Sequence, residues 1–282
     1  MIVRIRGRKT TLGNIMMWLC GTAMALLWFI PVFWMVSTSL KPENQILSTT
    51  VEWLPREISW ESYRKVFSYP VARWFANSVI VTLVATVSSV CIGALTGYAL
   101  ARMHFPGRKV LFALLLALLM MPFETGIVPL YLMFAKLGLV DTYLGILLPS
   151  AVGIFVTYLF RQAFLDFPRD LEDAAFIDGC TRSKIFWRIA LPLSRPTLIA
   201  ATIVTFTGQW NDFLWPLLIT VSEEMQTLAV GMAKFSPVGQ ACKFEFGTPM
   251  AAVTLLSIPT TIVFLVLQRY FVTGIRSTGI KG

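Results

Sequence analysis

Long apolar runs separated by short polar stretches organise this chain. Six runs stand out, at 12–36, 77–101, 110–135, 142–160, 196–221 and 246–268. The third is interrupted only by Glu124 and the fifth only by Asp212; the others carry no charge. A helix needs about 20 consecutive apolar residues to cross a bilayer core. Helices are also the only open-chain form that satisfies its own backbone groups in lipid. The pattern therefore predicts an all-α integral membrane protein with about six transmembrane helices. Pro122, Pro129, Pro149 and Pro216 lie inside the runs and predict kinks there.

Within the second run, small residues recur every fourth position: Ala85, Ser89, Gly93, Gly97 and Ala101. That spacing places them on one helix face, where a neighbouring backbone can approach closely. The neighbour is a helix of the same chain or one of a second subunit. No repeat of fixed period and no low-complexity segment is present.

Composition agrees with the pattern. Of 282 residues, 56% are hydrophobic and 14% are charged, against roughly 25% charged in soluble domains. The length leaves little room for a second folded domain. The net charge of +9 matches lysine and arginine at the cytoplasmic ends of spans and calls for no nucleic-acid partner. Placing the N-terminus in the cytoplasm puts 16 Lys and Arg on 1–11, 102–109, 161–195 and the tail, and 8 on 37–76, 136–141 and 222–245. The bias predicts that both termini are cytoplasmic. It divides the chain into an N-terminal segment 1–11, a membrane domain 12–273 with an external segment 37–76 and a cytoplasmic loop 161–195, and a tail 274–282. Arg4, Arg6, Arg8 and Lys9 before an apolar run imitate a signal peptide. The run exceeds a signal core and no A-x-A site follows, so an uncleaved first span is expected. Cys20, Cys91, Cys180 and Cys242 form no C-x-x-C pair, and no metal site is expected.

Enzyme signatures are missing. The single histidine, His104, sits in a short basic loop. There is no H-E-x-x-H, no G-x-S-x-G and no P-loop. If transport is driven by ATP, another chain must hydrolyse it. The chemistry available is that of the intramembrane acids. A lone carboxylate facing lipid is costly, so such groups tend to face a bundle interior or a wet cavity. Glu124 suits either a structural or gating role or a place on the pathway. Asp212 lies beside Gln209, Trp210 and Asn211, and together they offer an aromatic wall with hydrogen-bonding groups, suited to a polyol. The competing assignment puts Trp210 and Trp215 in an interfacial aromatic belt.

The loop 161–195 is charged and greasy at once. Asp170 and Asp173 suggest a capping-box-like start, Ala174, Ala175, Phe176 and Ile177 continue a helix, and Gly179 fits its C-terminal stop. Thr181 caps a second helix that runs to Pro192. Phe176, Ile177, Ile185, Phe186 and Ile189 cannot all be covered by so small a loop. An apolar patch with a charged rim predicts a partner's groove.

On these residues the chain resembles the permeases of binding-protein-dependent ABC importers, whose loop reads E-A-A-x-x-x-G-x9-I-x-L-P. The matching residues are Asp173, Ala174, Ala175, Gly179, Ile189, Leu191 and Pro192, with Asp173 in place of the usual Glu. The wider runs LEDAAFIDG, LPLSRP and WNDFLWPL and the ending IKG resemble the smaller maltose-type permease. The resemblance implies a type I importer fold in a bacterial or archaeal plasma membrane. It implies a second, larger permease subunit, two ATPase subunits that bind ATP and magnesium, and an extracytoplasmic substrate-binding protein. This chain would bind no cofactor and catalyse nothing. Asp173, Ala174, Ala175, Phe176, Gly179, Ile185, Phe186, Ile189, Leu191 and Pro192 would form the coupling surface against an ATPase subunit. Ser277, Thr278, Gly279, Ile280, Lys281 and Gly282 would make a second contact with the ATPase subunits. The segment 41–69, with Trp53, Trp60, Tyr63 and Phe67, is either the dock for the binding protein or an amphipathic helix on the membrane. The cargo implied is a carbohydrate; glycerol phosphate or another small polar solute is the alternative.

Overall fold

The structure is a computed structural model and describes residues 12–48, 50–236 and 245–278. Among these, the regular elements are helical. The helices used below are α1 (Leu12–Ser39), α2 (Val71–Arg102), α3 (Arg108–Met120), α4 (Ile127–Lys136), α5 (Ile154–Leu165), α6 (Arg169–Ile177), α7 (Arg182–Ile185), α8 (Arg195–Trp210), α9 (Leu214–Ile219), α10 (Leu228–Ala233) and α11 (Gly247–Thr278).

Four stretches are long and apolar enough to cross a membrane as they stand: Gly13–Ser39, Val71–Arg102, Tyr143–Leu165 and Gly247–Val266. Two more arise if bent helix pairs count as single spans. One pair is Arg108–Met120 with Phe123–Lys136, bent by 96°, and the other is Arg182–Leu193 with Arg195–Trp210, bent by 78°. The count of about six thus stands with two spans broken. Pro122, in extended conformation after Met121, marks the first break. The second departs from the expected fifth run: its helix begins upstream of Pro196 and ends at Trp210, and α9 follows as a separate helix. Pro216 therefore kinks no continuous span. Pro31 in α1 and Pro259 in α11 are accommodated inside their helices.

By contacts the chain divides into two units, 1–69 with 235–255, and 70–234 with 256–282. In the first, Glu43 accepts from the amides of Phe246 (2.7 Å) and Gly247 (3.2 Å) at the start of α11, which satisfies donors a helix N-terminus leaves orphaned. Lys65 pairs with Glu245 at 2.8 Å. That hydrogen bond raises the lysine above its usual range and holds Glu245 below the ordinary carboxylate value. Lys41 is buried, lies over the Trp34 ring and donates to the Glu52 carbonyl.

The second unit is built around α2, which packs along α5 and α8. The small-residue face makes this possible. A Cβ added at Gly97 would lie 2.8 Å from Phe160 Cβ and 2.9 Å from the Arg161 amide nitrogen. One at Gly93 would lie 2.7 Å from Val156. The face therefore closes on α5 of the same chain. Between the helices lies a core of Val90, Ala94, Tyr98, Val156, Phe160, Phe164, Phe186, Ala190 and Ala201. The helix α5 continues past the end of the uncharged run 142–160 and includes Arg161. Its guanidinium stacks on Phe112 at 3.6 Å.

Candidate functional site

Pro168, extended, precedes α6 and fixes where it can begin. The helix starts at Arg169, and Asp170 lies inside the first turn without capping it, contrary to the capping-box expectation. Asp170 and Glu172 still complement the positive end of the helix dipole. The end is a Schellman motif: Gly179 donates to the Phe176 carbonyl at 3.0 Å and Cys180 to that of Ala175 at 2.9 Å. Gly179 has φ +75, in the left-handed region that favours glycine. Thr181 then caps α7, accepting from the Lys184 amide at 3.4 Å. The second helix does not end at Pro192. It passes through a π turn at Phe186–Ala190, continues over Leu191–Leu193, and bends into α8. An extra residue per turn rotates the following side chains, and such turns are frequent at functional sites.

Burial divides the expected coupling residues. Ile185 (0%) and Phe186 (3%) are buried, the latter against Tyr98 and Phe164. They anchor the loop from inside and are not part of an uncovered patch. Ala175 is also buried. Asp173, Ala174, Gly179 and Pro192 are exposed, and Ile189 and Leu191 are half-buried. The exposed apolar rim is Phe176 (43%), Ile177 (87%) and Trp187 (54%). Trp187 is not among the expected coupling residues. Arg182 lies over the Phe176 ring at 5.9 Å. A Cβ on Gly179 would meet no atom of the chain within 4 Å, so the space above it is open.

Behind this rim lies a cavity of about 150 Å³, lined by Tyr98, Arg102, His104, Glu172, Asp173 and Arg182 among others. Glu172 is buried although it looks like a surface acid in sequence. Tyr98 donates to its Oε1 at 3.2 Å, and Arg102 Nε stands 3.7 Å from the same oxygen. The Arg102 and Glu172 side chains are only 6% and 11% exposed. Arg102 also donates to the Phe167 carbonyl.

The proposed pathway residues lie at helix breaks. Trp210 closes α8 and is buried at 2%. Its indole donates to the Leu256 carbonyl at 2.9 Å, and its ring packs on Phe206 and Phe75. Trp215 is equally buried and donates to the Gly145 carbonyl at 3.0 Å, so neither ring lies in an exposed aromatic belt. Gln209 and Asp212 are half-buried and Asn211 is exposed, donating to the Thr207 carbonyl. Glu124 is exposed in a short 3-10 turn, Phe123–Gly126, after the break at Pro122. In the segment 41–69, Trp53, Trp60 and Phe67 are exposed, and Tyr63 is half-buried against Ser39. Among the tail residues, Gly279–Gly282 lie outside the described residues, as do the side chains of Ser277 and Thr278.

Known proteins agree with this architecture. The family model described as binding-protein-dependent transport system inner membrane component matches residues 89–277. The arabinooligosaccharides transport system permease protein AraQ of Bacillus subtilis is 36% identical over 264 residues, covering 92% of each chain. The lactose transport system permease protein LacG of Rhizobium radiobacter is 33% identical, over 89% of this chain and 90% of its own. The sn-glycerol-3-phosphate transport system permease protein UgpE of Yersinia pestis is 32% identical, over 89% and 91%. Among solved structures, a chain of a bacterial ABC transporter involved in alginate import superposes with a TM-score of 0.81 at 24% identity, covering 95% of this chain and all of the other. A chain of the MetNI methionine ABC transporter superposes with a TM-score of 0.52 at 17% identity, over 76% and 96%. These likenesses show the fold, that of an ABC importer permease. With two thirds of its length inside the family model and relatives matched nearly end to end, the chain belongs to the binding-protein-dependent transport system inner membrane components.

Proposed function

We propose that this chain is the translocating membrane subunit of an ATP-driven importer for carbohydrate. The observation that carries the coupling half of this reading is α6 itself. It is a short helix closed by a Schellman glycine, with Phe176, Ile177 and Trp187 exposed and with Ile185 and Phe186 fixing the loop to the helix bundle. Such a rim fits a groove on an ATPase subunit in the cytoplasm. ATP and magnesium belong to two such subunits, since this sequence has no P-loop. A second, larger permease would complete the pathway, and an extracytoplasmic binding protein would deliver cargo to the face bearing 37–76. The C-terminal tail would add a contact to the ATPases. Asp173, Ala174 and Gly179 offer the close approach, and Glu124, Gln209, Asn211 and Asp212 are the polar groups left for the pathway. Trp210 would support them from behind as a buried prop.

The carbohydrate half rests on the arabinooligosaccharide and lactose relatives. A second reading, glycerol phosphate, draws on the UgpE relatives and on Arg161. The Nε of this residue has no hydrogen-bond acceptor among the described residues. The test is reconstitution with the neighbouring permease, ATPase and binding protein in proteoliposomes. ATP hydrolysis should rise when binding protein loaded with arabinotriose is added. A rise with sn-glycerol 3-phosphate instead selects the second reading, and no rise with either overturns both.

A further inference from the structure

Few contacts tie α6 to the rest of the chain. Of its nine residues, only Glu172 and Ala175 are buried. Ala175 contributes a single methyl group, so the directional attachment is Glu172. Its partners are both on α2, one turn apart: Tyr98, which donates to Oε1 at 3.2 Å, and Arg102, whose Nε lies 3.7 Å away. Arg102 is the last residue of α2. The same guanidinium binds the Phe167 carbonyl just ahead of α6 and stacks over the Phe167 ring at 5.5 Å. One side chain thus brackets the start of α6, from the residue before Pro168 to its first turn.

We propose that Tyr98, Arg102 and Glu172 form a link that makes α6 and α2 move as one body, transmitting displacement of the coupling helix into the membrane. The three act as positioning residues. This rests on the reading that α6 docks on an ATPase subunit. The physical case has two parts. A pair this buried is costly to break, because either charge left alone has lost its water; the helices therefore separate only at a large penalty. In addition, α2 has 32 residues and, at 1.5 Å per residue, spans about 48 Å. A push at Arg102 therefore enters a rigid element packed along α5 and α8. The adjoining cavity of about 150 Å³ leaves room for the carboxylate and guanidinium to shift without clash.

The experiment uses the complete importer in proteoliposomes, with Tyr98→Phe, Glu172→Gln, Arg102→Met and the double variant Glu172→Gln/Arg102→Met. Three quantities are measured: subunit co-purification, ATP hydrolysis stimulated by loaded binding protein, and radiolabelled arabinotriose taken up per ATP. The expected result is retained stimulation with uptake per ATP lowered about 2- to 30-fold, the range that mutations along a coupled network produce. The double variant should recover assembly relative to Arg102→Met, because no charge is left uncompensated. Its uptake per ATP should stay low. Glu172→Asp should recover part of the ratio, which a merely structural role would not require. If the single-charge variants fail to assemble, Tyr98→Phe, which removes one hydroxyl, carries the test alone. A wild-type ratio in assembled Tyr98→Phe and double-variant complexes overturns the link. A wild-type importer without stimulated hydrolysis overturns instead the docking reading beneath it.

Discussion

At its Val71 end, α2 is held mostly by neutral groups, with Arg73 donating to the Glu224 carbonyl at 3.4 Å and Lys234 lying over the Trp74 ring at 5.1 Å. Asn77, fully buried, donates to the carbonyls of Glu224 (2.7 Å) and Gln226 (2.9 Å) and accepts from the Tyr143 hydroxyl (2.6 Å). The Trp74 indole donates to the Glu223 carbonyl at 2.9 Å, and Ser78 accepts from the Leu228 amide at 2.7 Å. At its Arg102 end the same helix is held by one charge pair at 3.7 Å, one tyrosine bond and the bond from Arg102 to the Phe167 carbonyl. The neutral hub is multiply bonded, so any shift breaks several bonds together. The charge pair is looser, because Coulomb attraction falls off slowly with distance while a hydrogen bond weakens steeply once bent or stretched. One end is built to stay fixed, and the other tolerates movement without letting go.

The sharpest way to break this contrast is Trp74→Ala. The side chain is fully buried and packs on the backbone at Gly231, where an added Cβ would lie 2.2 Å from the ring. Truncation should destabilise the chain by about 3–5 kcal/mol, the usual loss for a buried aromatic. Thermal unfolding of the detergent-purified complex should show a lower midpoint. Complexes that survive should keep their uptake per ATP. A changed ratio would mean that the Val71 end also transmits motion, and the division of labour along α2 would fail.

Arg102→Met tests the other end. It leaves Glu172 buried without a countercharge, so a loss of about 3 kcal/mol is expected. Adding Glu172→Gln should return most of it, since a buried pair replaced on both sides is often close to neutral. The same thermal melt reads both variants. If the double variant is no more stable than the single, the 3.7 Å contact is not the interaction that holds the helices.

The uneven legibility of these two ends has a physical basis. The apolar runs, the four-residue ladder, the Gly179 stop and the Thr181 cap could be read from sequence because each is a local rule of spacing or conformation. Glu172 could not. Beside Asp173 it reads as one of two surface acids, and only Tyr98 and Arg102, some 70 residues away, decide which of them turns inward. The break at Pro122 is of the same kind. Proline predicts a kink, but the 96° bend depends on what α3 and α4 pack against. The π turn at Phe186–Ala190 has no sequence signature of its own, and it moved the start of the fifth span. Hydropathy marks which residues enter the membrane region and leaves open which neighbour each one faces.

Gly179→Ala sharpens the comparison on the loop side. Inside this chain the new methyl meets nothing, so the effect on folding is confined to the left-handed φ of +75, about 1–2 kcal/mol. Binding of ATPase subunits should weaken by more than that, because the open space above Gly179 is where a partner approaches. Pull-down of ATPase at graded concentrations separates the two. If the affinity loss does not exceed the folding loss, Gly179 acts only as a helix stop.

The smallest effect is expected at Asp141, which ties down the chain just past α9. Its carboxylate accepts from the Val221 amide at 2.9 Å and the Ser222 amide at 3.0 Å, and its own amide donates to the Ile219 carbonyl. Burial alone would push its pKa up, but the bonds from Ser222 and Val221 outweigh it and hold the group below its ordinary value. A folded-state value that is depressed stabilises the charged form. That contribution is whole above the unfolded carboxylate's pKa, near about 3.9, and is lost as pH falls through the lower folded value. Asp141→Asn keeps an acceptor oxygen, and Asn tolerates the φ of 60 found here, so the change isolates the charge. At pH 7 the variant should be less stable by about 1 kcal/mol, the difference between charged and neutral hydrogen bonding. In acid the two proteins should converge, because the wild-type carboxyl is then neutral too. Thermal midpoints measured from pH 7 downward test this, and a gap that persists unchanged in acid would show that the carboxylate charge contributes nothing.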